Sequence, residues 1–313
     1  MEKTTFLFPG QGSQSIGMGQ DLYESENFMR ELFEMASDIV KINLPKLIFQ
    51  GEMEELTRTV NLQPAITAVN LSFLAALDFE GVKPDVTAGH SLGEYSALCA
   101  SKVLTPEDTF RLVYKRGELM HRESLKYQGA MQAIIGFPME KVQALVDKVR
   151  GDDKIISVAN QNTETQIVIT GSPGPVESVA ALAASEGAKT VALKVSGAWH
   201  SELIKGAEEE FIRHLDSAAF AEPEIPLIHN VTADTAKDPN EIRSIMGDQL
   251  CRPVLWYDSM SKIIDDDVIN FVEVGPGRVL AGMLRKILPK KSPHNIYNLN
   301  NMENLERFLK AVT

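Results

Sequence analysis

Cysteine is scarce, with Cys99 and Cys251 the only two in 313 residues. Two thiols cannot staple a small secreted domain, and neither has neighbours at metal-ligand spacing, so both read as core residues and no metal is expected. Positive charge is also short: 31 lysines and arginines face 43 acidic residues, for a formal net charge of -12. That balance argues against a nucleic-acid partner, and an acidic protein partner would need a local basic patch. No run reads as the roughly 20 apolar residues that span a bilayer, and Met1-Glu2-Lys3-Thr4-Thr5 lacks a signal-peptide core. The expectation is a cytoplasmic protein without membrane contact. With no long apolar surface pattern to advertise a partner face, it is also expected to be a monomer. The glycine loop that starts at Gly10 has Ser15 where a dinucleotide fingerprint needs its last glycine, and no acidic residue follows at the expected distance. Nucleotide binding is therefore set aside and no cofactor is expected.

What is present is 44% hydrophobic and 24% charged residues, enough for a large core in two lobes or a body with an inserted subdomain. The most informative stretch is Asp85 to Leu98, read as a short strand, a tight turn with Ser91 at its apex, and a helix. Its Gly89-His90-Ser91-Leu92-Gly93 is a nucleophile elbow pattern, in which a strained turn lifts the serine out of the sheet only where close neighbours lack side chains. The hydroxyl would then sit at a helix N-terminus, where free N–H groups and the helix dipole favour negative charge.

Upstream, the apolar strand Thr5-Phe6-Leu7-Phe8 runs into Pro9-Gly10-Gln11-Gly12. Two readings stand for that loop: a turn needing positive φ, or a second source of oxyanion donors, Gln11 N–H beside the Leu92 N–H that follows the nucleophile. Asp21 to Gln50 shows helical periodicity, and a second, nearly all-apolar helix is expected after Asn61-Leu62-Gln63-Pro64, through Phe79. Gln63 stands just before it, either reaching into a cleft or serving as a cap. Thr105-Pro106-Glu107-Asp108 opens a helix through roughly Glu123, on which Leu112, Arg116 and Met120 share one face. An arginine on an apolar stripe either snorkels to a carboxylate or waits as a fork of donors for a substrate carboxylate.

From Gly129 to Val195 the rhythm becomes β-α-β-β-α-β, the ferredoxin-like order. The fold class expected is α/β, with a large α/β-hydrolase-like body (1–127 and 196–313) and an inserted ferredoxin-like subdomain (128–195). The chain re-enters the body at Ser196-Gly197-Ala198-Trp199-His200, between the lobes where clefts form. His200 is the best base candidate of six histidines. His90 should point away across the turn, His214 and His294 should lie at the surface, and His229 should sit in a strand Pro226–Asn230. Near the C-terminus, Val268–Val274 reads as a buried strand running into Gly275-Pro276-Gly277-Arg278 and a final helix. The basic run Arg285, Lys286, Lys290, Lys291 is either a solvated face or a docking patch.

Phe8-Pro9-Gly10-Gln11-Gly12-Ser13-Gln14, Gly89-His90-Ser91-Leu92-Gly93-Glu94-Tyr95, Arg116-Gly117, His200 and Glu273-Val274-Gly275-Pro276-Gly277 together resemble the bacterial malonyl-CoA:acyl carrier protein transacylases and the acyltransferase domains of polyketide synthases. The resemblance spans essentially the whole chain. It implies Ser91 as nucleophile, His200 as general base, Gln11 and Leu92 N–H as the oxyanion hole, and Arg116 as a clamp on the malonyl carboxylate. It also implies a Gln249 backbone carbonyl that orients the histidine, and a cleft role for Gln63. Trp199, in place of the usual small residue or phenylalanine, favours malonyl over methylmalonyl. Malonyl-CoA and an acyl carrier protein are the implied partners, coenzyme A thioester being a substrate rather than a cofactor. Three other readings stay open: loading of polyketide carrier domains in trans, a thioesterase using water as acceptor, and a non-catalytic docking module.

Overall fold

Thr5-Phe6-Leu7-Phe8 is buried throughout, as a strand at the centre of a parallel sheet must be. The computed structural model describes residues 2–151, 154–195 and 197–312. The strands are β1 (Thr4–Phe8), β2 (Val86–Gly89), β3 (Ala130–Ile135), β4 (Ile156–Thr163), β5 (Gln166–Gly171), β6 (Lys189–Ala192), β7 (Leu227–Ile228), β8 (Asn270–Val274) and β9 (Asn295–Leu299). Five form one parallel sheet in the order β7-β2-β1-β8-β9. The other four form an antiparallel sheet, β4-β5-β3-β6, all four strands falling between Gly129 and Val195, where that alternation was expected. That sheet and its helices, Met139–Val149 and Pro173–Ser185, enclose their own core around Ile134, Leu145, Ile169 and Val176. The expected re-entry point at Ser196 lies outside the described residues.

The chain leaves β1 toward β2 on one side and later places β8 on the other, so the strand order reverses between β1 and β8, at the loop that follows β1. Crevices at such switch points are where open parallel sheets bind ligands. The smaller sheet leans on this crevice: Gln161 N donates to Val254 O and Val254 N to Ala159 O, both at 2.9 Å, binding β4 to the body.

Several sequence expectations are corrected. The helix expected after Pro64 runs Thr59–Phe79, with Pro64 inside it, because a proline this near the start removes only one early hydrogen bond. By length and composition alone that helix could cross a membrane, with an 18-residue window of mean hydropathy 1.4, but 83% of that window is buried inside the protein, as in a core helix. Asp21 to Gln50 is not one helix but three, Gln20–Ser25, Asn27–Val40 and Leu44–Gln50, broken where Glu26 is extended and Lys41 left-handed. The helix Val279–Ile287 is not the last element, since β9 and a helix Met302–Val312 follow it. The strand expected over Pro226–Asn230 shortens to β7, and His229 lies beyond it.

Candidate active site

Ser91 caps the turn between β2 and the helix Gly93–Ala100 with φ of 51°, a left-handed conformation uncommon outside glycine and costing about 1–3 kcal/mol. The elbow glycines serve close approach rather than positive φ. A Cβ at Gly89 would stand 2.1 Å from Gly93 O, one at Gly93 1.9 Å from Phe8 O, and one at Gly10 2.5 Å from His90 O. Asn230 braces the turn from outside: its Oδ1 accepts from Ser91 N at 2.6 Å while its Nδ2 donates to Gly89 O at 2.6 Å.

The Ser91 hydroxyl lies 2.8 Å from His200 Nε2. On the far side of the ring, Nδ1 is 3.0 Å from both Gln249 O and Arg252 O, and since carbonyls only accept, Nδ1 carries the proton and Nε2 is free to take one. The expected carbonyl partner Gln249 is thus in place, and Arg252 is a second that sequence reasoning missed. Burial, then the Arg116 and His90 charges, push the His200 pKa down to about 3.

The neutral imidazole therefore contributes stability above the unfolded value of 6.5, and loses it as pH falls toward 3. We expect single-turnover acylation to hold its plateau below pH 6.5, and His200→Ala to flatten the fall in melting temperature between pH 6.5 and 4. A half-loss of acylation at the ordinary histidine value would contradict the assignment.

Arg116 is fully buried on the helix Pro106–Lys126, whose Thr105 cap accepts from Asp108 N as the sequence suggested. Its Nη2 donates to Ser91 Oγ and to Gln249 Oε1, each at 3.2 Å, while Nε and Nη1 have no hydrogen-bond partner among the described residues. Burial lowers its pKa, with Tyr95 and Glu94 opposing. A buried guanidinium with two unpaired nitrogens, carrying three N–H donors, is costly unless an anion joins it.

Ser91 and His200 border a cavity of about 450 Å³, also lined by Gly10, Gln11, Met120 and Trp199, while Arg116 lies behind Ser91 and does not line it. Neither Gln11 N nor Leu92 N donates within the protein among the described residues, and the Cβ position of Gly10 is 3.4 Å from Leu92 N, so the two loops abut. Gln63, inside its helix and fully buried, donates to Gln11 Oε1 and Met120 Sδ, each at 3.2 Å. Trp199 is buried against the wall. The Gln249 side chain bonds protein atoms: Ser91 O, Glu94 and Arg116.

His90 does not point away, because it lines the same cavity and pairs its Nε2 with Asn162 Oδ1 at 2.9 Å. His214 and His294 are half-buried rather than exposed. Sequence reasoning missed Glu94, Asn162, His229 and Asn230. Glu94 falls inside the quoted elbow motif, the one place where it could have been found.

Fold and paired side chains define a class, the acyl transferases: residues 5–307 match the acyl transferase domain family. Within that class the chain belongs to the malonyl-CoA–acyl carrier protein transacylase family. It is 42% identical to the malonyl CoA-acyl carrier protein transacylase of Bacillus subtilis (strain 168), over 92% of this chain and 91% of that one. The crystal structure of FabD from Acinetobacter baumannii superposes with a TM-score of 0.92 at 36% identity, covering 99% and 98% of the two chains. A malonyl-transacylase solved in complex with a holo type II polyketide acyl-carrier protein superposes at 0.93 and 33% identity, covering 99% of each.

Proposed function

We propose that this protein moves a malonyl group from malonyl-CoA to the phosphopantetheine thiol of an acyl carrier protein, through a malonyl ester on Ser91. One observation carries the reading: the Ser91 hydroxyl lies between a neutral, carbonyl-oriented imidazole and a buried guanidinium with unpaired N–H groups. His200 takes the hydroxyl proton as the oxygen attacks the thioester carbonyl, a base contribution of roughly 10²–10⁴-fold. The oxyanion forms against Gln11 and Leu92 N–H, each donor worth about 2.7–4 kcal/mol by analogy with measured cases. Coenzyme A leaves as a thiol with the proton from His200, and the carrier thiol reverses the sequence. Arg116 holds the free carboxylate; Gln63 and Gln249 position, and Met120 and Trp199 shape the acyl pocket.

The reading divides the chain into an α/β-hydrolase-like body, 1–127 and 196–313, and a ferredoxin-like subdomain, 128–195. The order β4-β5-β3-β6 supports the second description. Carrier docking is supported by exposed Arg285, Lys286, Lys290 and Lys291 at and beyond the end of the helix Val279–Ile287, whose Val279, Leu280 and Met283 line the cavity. We place the protein in the cytoplasm as a monomer, the first supported by its two free cysteines.

A chase experiment tests this. Enzyme loaded with malonyl-CoA should keep its adduct in buffer and lose it within a turnover when holo carrier protein is added. Equal loss to water would make it a thioesterase. The relative solved with a polyketide carrier keeps loading of polyketide carriers in view, and presenting fatty-acid and polyketide carriers side by side decides between them.

A further inference from the structure

Glu94 follows the nucleophile by three residues and is fully buried in the first turn of the elbow helix. A carboxylate there needs partners, and it has three. Oε1 accepts from His229 Nδ1 at 2.9 Å and from Asn230 N at 3.2 Å, and Oε2 accepts from Gln249 Nε2 at 2.7 Å. The same Gln249 nitrogen donates to Ser91 O at 2.9 Å, which uses both of its hydrogens. The amide oxygen is left facing Arg116 Nη2 at 3.2 Å.

We propose that Glu94 is a specificity-determining positioning residue: its acceptor-only carboxylate fixes the orientation of the Gln249 amide, which in turn holds the Arg116 guanidinium for the free carboxylate of the acyl group. The inference rests on the reading of Arg116 as the malonyl clamp. Turned over, the amide would set its oxygen against two acceptors, Glu94 Oε2 and Ser91 O, and its NH₂ against the guanidinium. Only a group that cannot donate excludes that arrangement on every side. Glu94 is also the acidic group that offsets the Arg116 charge without occupying it, one amide away. A carboxylate in direct contact would pair the guanidinium and compete with substrate.

Glu94→Gln conserves shape and replaces one acceptor with a donor. Wherever its NH₂ lies, it confronts either His229 Nδ1–H and Asn230 N–H or the Gln249 NH₂, and turning Gln249 over relieves the clash by placing N–H groups against Arg116. Gln249→Met removes the same link from the other end and leaves the backbone carbonyl that orients His200 untouched. The test is single-turnover acylation of each variant with malonyl-CoA and with acetyl-CoA, reading the ratio of the two rates. Both variants should lower the malonyl-to-acetyl ratio by about 10- to 100-fold, the range for a lost hydrogen bond to a charged group. A structural role alone lowers both rates together, so an unchanged ratio in Gln249→Met, or in folded Glu94→Gln, overturns the proposal. Arg116→Ala runs in parallel. If that variant keeps the wild-type ratio, the clamp reading itself fails; if it loses the ratio while Glu94→Gln and Gln249→Met keep theirs, only the present inference fails.

Discussion

Ser91→Ala protein incubated with malonyl-CoA gains no mass, and its transfer rate falls by a factor on the order of 10⁴–10⁶, as for other enzymes stripped of a nucleophile held by its base. The physical basis is that, among the described residues, Ser91 is the one cavity-lining hydroxyl that pairs with an imidazole. His200 Nε2 has Ser91 Oγ as its partner, and burial pushes the Cys99 thiol up to about 11 and Cys251 up to about 12, so neither supplies thiolate near neutrality. Intact-mass spectrometry before and after carrier addition checks it. An adduct that survives the substitution, or that maps to another residue, removes the serine ester from the mechanism.

The second large effect concerns folding. Gly93→Ala should yield protein that does not accumulate in folded form, or that loses roughly 4–5 kcal/mol or more of stability and all transfer activity. The new methyl would sit 1.9 Å from Phe8 O and 2.7 Å from Phe8 C. These atoms cannot retreat, because β1 is hydrogen-bonded to β2 on one side and to β8 on the other. Gly12→Ala is the control. It faces open space at φ of 103°, so its cost is confined to backbone strain, about 1–3 kcal/mol. Thermal melts of the pair should differ widely; comparable melting temperatures would mean that the elbow tolerates a wider spacing from β1.

Local chemistry made the elbow, the arginine helix and the insert readable, because each depends on residues within a few positions of one another. Ser91 between two glycines, Thr105 ahead of Pro106, and the alternation of short strands and helices from 130 to 192 are all features of that kind. The buried network was not readable. Glu94 meets His229 and Gln249 across 135 and 155 residues, and no periodicity encodes which acid reaches which amide. His90 was misplaced for a related reason: the turn sets its backbone, but Asn162 on the smaller sheet decides where the ring goes. Pro64 misled because proline marks a first turn more often than an interior position, and here the apolar surroundings of the helix Thr59–Phe79 outweigh one missing hydrogen bond.

The two carbonyls behind His200 have a consequence for timing. Neutral dipoles steer a ring, but they do not offset a full positive charge as a carboxylate would, and Arg116 nearby adds to the deficit. Proton transfer from the serine is therefore uphill in the empty enzyme. A cargo that brings its own anion cancels the arginine's repulsion at the moment the ring must accept the proton, so on this reading the molecule being carried also switches on its carrier.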